Sequence, residues 1–342
     1  METGFLSTAV KHICDPNTIQ RLLAEYEQSG SLSKCLDAKD NHGDAFVHFV
    51  ARAHSLPVLR LLRQYNADLE AVNEHGRQPI HEAIDSLECV RFLARECKVN
   101  IDALKRGDWT PLMIAALKGR LDIIQELDQA GCRLDLANKD GRTALHLAAQ
   151  NGHVLACQYL AERCPESILK RTRSGRLPIQ ISAAYTDDPG AALEMTRMLF
   201  SFANVPTQQL LQHRDNSGRS VLQDAAVSRN MELLRYLVGC GGNPNDPDSL
   251  GRNVIHHSAM LGHLDVLRTL ESLVPCDWDK PDAWDEWTPL MHAARQGHLA
   301  VTKFLVEQGR ADPAKQDKHG RSSKQLAETW RHGAIVEYLE TL

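Results

Sequence analysis

Lys105 and Arg106, then Lys139 and Arg142, then Lys170, Arg171, Arg173 and Arg176 form three basic clusters at regular intervals in a chain whose formal net charge is −5. Grouped cations of this kind face an anion or an acidic partner, or else stand as a solvated charged surface. They also bear on nucleophilic chemistry. A lysine attacks an activated acyl group only as the neutral amine, and neighbouring cations disfavour its charged form. Arginine cannot serve as the acceptor, because its guanidinium stays protonated. Trp109 adds an aromatic edge to the first cluster. A second constellation is acidic and aromatic. Residues 276–287 read CDWDKPDAWDEW and hold Trp278, Trp284 and Trp287, three of the five tryptophans. Tryptophan is unfavourable to leave in water and is enriched at binding hot spots. The candidate partner-binding residues are therefore Arg106, Trp109, Arg142, Arg171, Arg173, Arg176, Trp278, Trp284 and Trp287. For Trp287, next to a helix start, packing onto the adjacent segment is the competing role.

Other chemistry finds little support. His257 and His292 make no spaced ligand pair on one helix, so no zinc site is expected. No GxxxxGK[ST], GxSxG, HExxH or GxGxxG pattern occurs. Cys89, Cys97, Cys157 and Cys164 fall on or beside helical segments and read as small buried hydrophobes. No catalytic residue, metal or cofactor is expected, and the chain reads as a non-enzyme. The charge balance argues against direct nucleic-acid binding. No apolar run approaches the ~18–20 residues that span a bilayer. The start lacks a signal-peptide pattern, and the nine cysteines include no CxxC pair. The expectation is a reducing, cytoplasmic setting, extending to the nucleus, and a monomer that binds a protein partner.

The elements that position these residues are repeats. A turn-to-helix segment recurs as GDAFVHFVA, GRQPIHEAI, DWTPLMIAA, GRTALHLAA, GRLPIQISA, GRSVLQDAA, GRNVIHHSA, EWTPLMHAA and GRSSKQLAE. Its helix-start position falls at Ala45, Gln78, Thr110, Thr143, Leu177, Ser220, Asn253, Thr288 and Ser322, with successive spacings of 33, 32, 33, 34, 43, 33, 35 and 34 residues. Glycine permits the turn, Thr or Ser caps the free N–H groups of the first helical turn, and Pro is tolerated there. A 33-residue period with a T-P-L-H-x-A signature resembles the ankyrin-repeat family over nearly the whole chain. The resemblance implies an all-α solenoid of about ten helix pairs with β-hairpin-like finger loops. In it, His48, His81, His146 and His256 bridge backbone groups of neighbouring repeats. Residues 1–42, with helix-like segments at Phe5–Ile13 and Thr18–Tyr26, are expected to form a degenerate capping repeat. Residues 43–342 are expected to form nine repeats in one continuous solenoid, the last with the polar face of a terminal cap. The 43-residue spacing marks an insertion at Thr186–Gly190 or, preferably, Ser201–His213.

Within the family, residues 65–180 are similar to a subgroup that acts as co-regulator of alanyl-tRNA synthetase. The residues that carry this are DLEA from Asp68, PIHEA from Pro79, IDALKRGDWTPLM from Ile101, IQEL from Ile124, NKDG from Asn138, QYL from Gln158 and Cys164-Pro165. The resemblance implies binding to the synthetase's catalytic domain and acceptance of misactivated serine on lysine side chains, which protects translation from Ala-to-Ser errors. It places the acceptors at Arg106, Lys139 and Leu169. Only Lys139 keeps the lysine; Lys105 and Lys170 stand beside the other two positions, so the acyl-acceptor candidates are Lys139, Lys105 and Lys170. The alternative function is a generic ankyrin adaptor in signalling or ubiquitin-ligase assembly, using the tryptophan-rich finger.

Overall fold

The computed structural model describes residues 2–185 and 188–342. Among them are 22 α-helices and no extended strand, only isolated antiparallel bridges such as Lys105–Trp109 and Ala137–Thr143 across the finger bases. The all-α, hairpin-fingered architecture expected from the repeat is the one observed.

Each copy is built alike. A short first helix starts at a hydroxyl or amide cap: the side chains of Thr110, Ser220 and Thr288 accept the N–H groups of Met113, Gln223 and Met291. Pro79, Pro111, Pro178 and Pro289 open their helices at a position whose N–H would have no helical partner. The alanine pairs Ala115–Ala116, Ala148–Ala149, Ala225–Ala226 and Ala293–Ala294 are fully buried. Small residues there let helices approach closely, which is why a chain with 5% aromatics can still fill its interior. A tight turn leads to an amphipathic second helix; Leu121–Gln129, for example, buries Ile123, Ile124 and Leu127.

The chain packs as two compact units, Met1–Ser167 and Ile168–Leu342. In the first, the N-terminal stretch forms helices Glu2–Lys11 and Pro16–Gln28, near the two expected segments, and a third short helix, Leu32–Leu36. Phe5 meets Phe46 of the first full repeat edge-on at 5.6 Å. In the second unit, the second helix of the long repeat runs through Pro189–Phe202, and a further helix, Thr207–Gln212, buries Leu210 and Leu211. The added length thus lies partly in a longer second helix and partly, as the further helix, in the preferred segment. Thr186 and Asp187, at the other site considered, lie outside the described residues.

Candidate functional site

Finger tips of successive repeats are joined by backbone hydrogen bonds. In the first unit, Glu74 N–H donates to His42 O at 3.1 Å, Arg106 N–H to His75 O at 2.9 Å, and Lys139 N–H to Gly107 O at 2.9 Å. In the second, Asn216 donates to Ser174, Ser249 to Ser217, Ala283 to Leu250 and Lys318 to Asp285. Glycine is required here twice over. Gly251 has φ +79°, and a Cβ on it would lie 2.4 Å from Ala283 N. In the two tryptophan-bearing fingers, Asp108 (φ 62°) and Glu286 (φ 58°) adopt the left-handed conformation. Arg106 and Lys139 are thereby fixed on adjoining tips of a row whose pitch is set by main chain.

Eight of the nine fingers are closed at the base by one side-chain acceptor. Asp40, Asn73, Asn138, Asp215, Asp248, Asp282 and Asp317 accept backbone N–H groups of their own turns through Oδ1, and Thr172 Oγ accepts from Arg176. In the remaining finger the equivalent residue is Lys105. It makes the same backbone bond, N–H to Trp109 O at 3.0 Å, but its side chain cannot accept. Its ammonium sits instead 5.0 Å from the Trp109 ring centroid. Burial first, then the nearby Arg77 guanidinium, lower the Lys105 pKa, with Glu82 opposing. Lys139 is exposed, as are Arg106, Lys170, Arg171 and Arg173. Lys105 and Lys139 stand on adjoining, hydrogen-bonded fingers of one unit; Lys170 belongs to the second unit.

Arg176, offered from the sequence as a partner-binding residue, is only 9% exposed. Its guanidinium reaches Asp215 at 3.1 Å and Asp224 at 3.2 Å. It is a buried structural cation. Trp287 is likewise corrected: it is 8% exposed and donates Nε1–H to Asp317 at 3.0 Å. Trp278 is half-buried, edge-on to Phe304 at 5.6 Å. Of the three tryptophans, Trp284 is the open one, 67% exposed. Arg142 is half-buried and donates to Gln150.

The recurrent histidines are framework. His48 Nδ1 accepts Ala45 N–H and Nε2 donates to Arg77 O; His81 does the same between Gln78 and Ala103. In other copies Gln180 and Gln223 make the same two bonds. This equivalence yields a pH prediction. Burial pushes the His81 pKa down to about 4, so between ~6.5 and that value the unfolded chain binds more protons. Stability contributed by neutral His81 is therefore present above pH ~6.5 and lost as the pH falls toward 4, by about 2–3 kcal/mol. His81→Gln should keep both bonds and shrink the fall in unfolding free energy between pH 7 and 4.5; chemical denaturation at the two pH values checks this. Cys89, Cys97 and Cys164 have thiol pKa values raised chiefly by burial, which makes them poor nucleophiles. Among the described residues, no group of three His, Cys, Asp or Glu side chains is arranged to hold a metal.

Family models for ankyrin repeats match residues 6–104, 97–171 and 267–340, and another ankyrin-repeat model matches 222–271. Among curated relatives, the E3 ubiquitin-protein ligase KEG of Arabidopsis thaliana is 24% identical across 75% of this chain and 18% of its own length. Rabankyrin-5 of Mus musculus is 26% identical across 56% of this chain and 17% of its own length. The probable 26S proteasome regulatory subunit p28 of Saccharomyces cerevisiae is 23% identical across 54% of this chain and 92% of its own length. The chain thus spans under a fifth of the first two.

Proposed function

The chain belongs to the ankyrin-repeat family, whose repeats serve as protein-interaction scaffolds, and from that premise we propose that it binds alanyl-tRNA synthetase through the basic fingers of its first unit and accepts misactivated serine on Lys139 and Lys105. This is the role of the subgroup typified by ankyrin repeat domain-containing protein 16. The observation that carries the reading is Lys105. Every other finger has a turn-closing acceptor at that place, and this one has an amine with a lowered pKa beside an indole. Departure from a local structural rule at one copy among nine marks a position kept for something other than folding.

The chemistry balances without a further reagent. Neutral Nζ attacks the carbonyl carbon of seryl adenylate. A C–N amide bond forms, the carbon–oxygen bond to the phosphate breaks, AMP departs, and the excess proton on nitrogen passes to solvent. Each lysine reacts once, so the protein is consumed stoichiometrically. A synthetase pocket made for alanine cannot strongly reject an added hydroxyl, which creates the need for such a trap. Arg106, with its backbone donated to His75, supplies charge near the anionic adenylate but no nucleophile. Lys170, with Arg171 and Arg173, is a subsidiary acceptor site on the second unit. We place this activity in the cytoplasm and nucleus, on a monomer.

Binding of the full chain to purified alanyl-tRNA synthetase tests the partner. Affinity should fall as salt rises, and Arg106→Ala should weaken it, because the contact is made by exposed cations. No complex at low salt would remove this reading. The adaptor role in ubiquitin-ligase assembly is the second reading, favoured by similarity to a relative named as an E3 ubiquitin-protein ligase.

A further inference from the structure

The second unit holds an arginine arranged unlike its one arginine counterpart, in the first unit. Arg295 lies seven residues after the cap Thr288; the residue seven after Ala45 is Arg52. Arg52 is saturated, reaching Asp44 at 2.9 Å and Glu82 at 3.1 Å. Arg295 has no carboxylate within ion-pair distance among the described residues. Its guanidinium lies instead between two indoles, 5.3 Å from the Trp287 ring centroid and 4.7 Å from that of Trp330. Contact of this kind is made to the ring face and uses none of the guanidinium's N–H donors. It opens on a cavity of about 210 Å³ lined also by Leu250, Met260 and the exposed Trp284.

The other charges lining the cavity are already engaged. Arg252 is paired to Asp248 at 3.0 Å, and Asp285 to Lys318 at 2.8 Å. Asp282 Oδ1 accepts three backbone N–H groups, and its Oδ2 takes His292 Nε2 at 2.9 Å. Among the described lining residues, Arg295 is the charged side chain with neither an ion pair nor a hydrogen-bond partner, and it sits beside apolar and aromatic walls. We propose that this cavity is a docking site for an acidic peptide segment of a protein partner, with an Asp or Glu carboxylate bidentate on Arg295 and an adjoining apolar side chain against Trp284, Leu250 and Met260. The site rests on the scaffold character of the family and is independent of serine capture.

Selection of a random-peptide display library on the full chain tests it, without synthetase, ATP or serine, so that failure here and failure of the capture reading are separate results. The expected outcome is enrichment of peptides with Asp or Glu next to an aliphatic or aromatic residue. The selected peptides should bind Arg295→Gln at least about tenfold more weakly, the scale of a charge-assisted hydrogen bond, with the melting temperature held. The corresponding Glu→Gln peptide on the unaltered chain should lose as much, and Trp284→Ala, at an exposed position, should also weaken binding. These last two readouts stand even where Arg295→Gln does not fold. A selection without acidic enrichment, or selected peptides whose affinity ignores the Glu→Gln change, overturns the proposal.

Discussion

Arg176→Met should cost the second unit about 3 kcal/mol of stability, at the low end of the range for breaking a buried ion pair because Arg219 stays 3.7 Å from Asp224. For a unit of this size that is a fall in melting temperature of order 10 °C. Asp224 is 1% exposed, and burial raises its pKa to about 6 despite Arg176 and Arg219. A carboxyl with a raised folded pKa contributes stability below its unfolded value of ~3.9, and that contribution is lost as the pH rises through the folded value. The ionised form therefore relies on its arginines at neutral pH. Removing Arg176 should hurt most near pH 7 and less near pH 5, where Asp224 can protonate. Arg176→Met/Asp224→Leu should recover part of the loss, since it removes the stranded Asp224 charge while Asp215 still lacks Arg176. Thermal denaturation of the three chains at both pH values decides the matter. A negligible effect of Arg176→Met would return that residue to the surface role suggested by its place in a basic cluster.

The second large effect concerns Lys105. Lys105→Asn should restore the acceptor that closes every other finger and stabilise the turn by about 0.5–1.5 kcal/mol. The same change removes the amine. Lys105→Arg/Lys139→Arg keeps both charges and should preserve synthetase binding while lowering seryl adducts on the first unit at least about tenfold, because guanidinium does not accept acyl groups. A residue whose replacement steadies the fold and removes an acceptor is what a functional departure from a repeat rule predicts. If Lys105→Asn destabilised the chain, its ammonium over Trp109 would be a packing device, and Lys139 would remain as the acceptor on its own in that unit.

Much of this was legible in the sequence because the fold is periodic. Nine copies in register expose the caps, the alanine pairs and the finger glycines, and the period alone implies that Arg106 and Lys139 lie on adjoining tips. What periodicity hides is which side chains turn inward. Arg176 stands in a run of cations, yet its partners Asp215 and Asp224 lie beyond the insertion, across an irregular spacing. Trp287 and Trp284 sit three residues apart in one acidic loop, and packing on Met291 and Leu326 with a hydrogen bond to Asp317, a repeat away, distinguishes the buried one from the exposed one. Trp278 meets Phe304 from the following second helix, a contact that no local pattern announces. The signal for Lys105 was present throughout: aligning the finger bases shows Asp, Asn or Thr in eight copies and Lys in one. Arg295 could be found by the same alignment only in part, since its lack of a carboxylate is a three-dimensional fact.

We propose serine capture from alanyl-tRNA synthetase by lysines on the basic fingers of the first unit. Mapping mass shifts on proteolytic peptides after incubating the full chain with synthetase, ATP and serine tests it most directly. Seryl adducts are expected on the peptides carrying Lys105 and Lys139, absent when synthetase or ATP is omitted. Adducts spread evenly over the exposed lysines, or none at those two positions while the complex demonstrably forms, would contradict it.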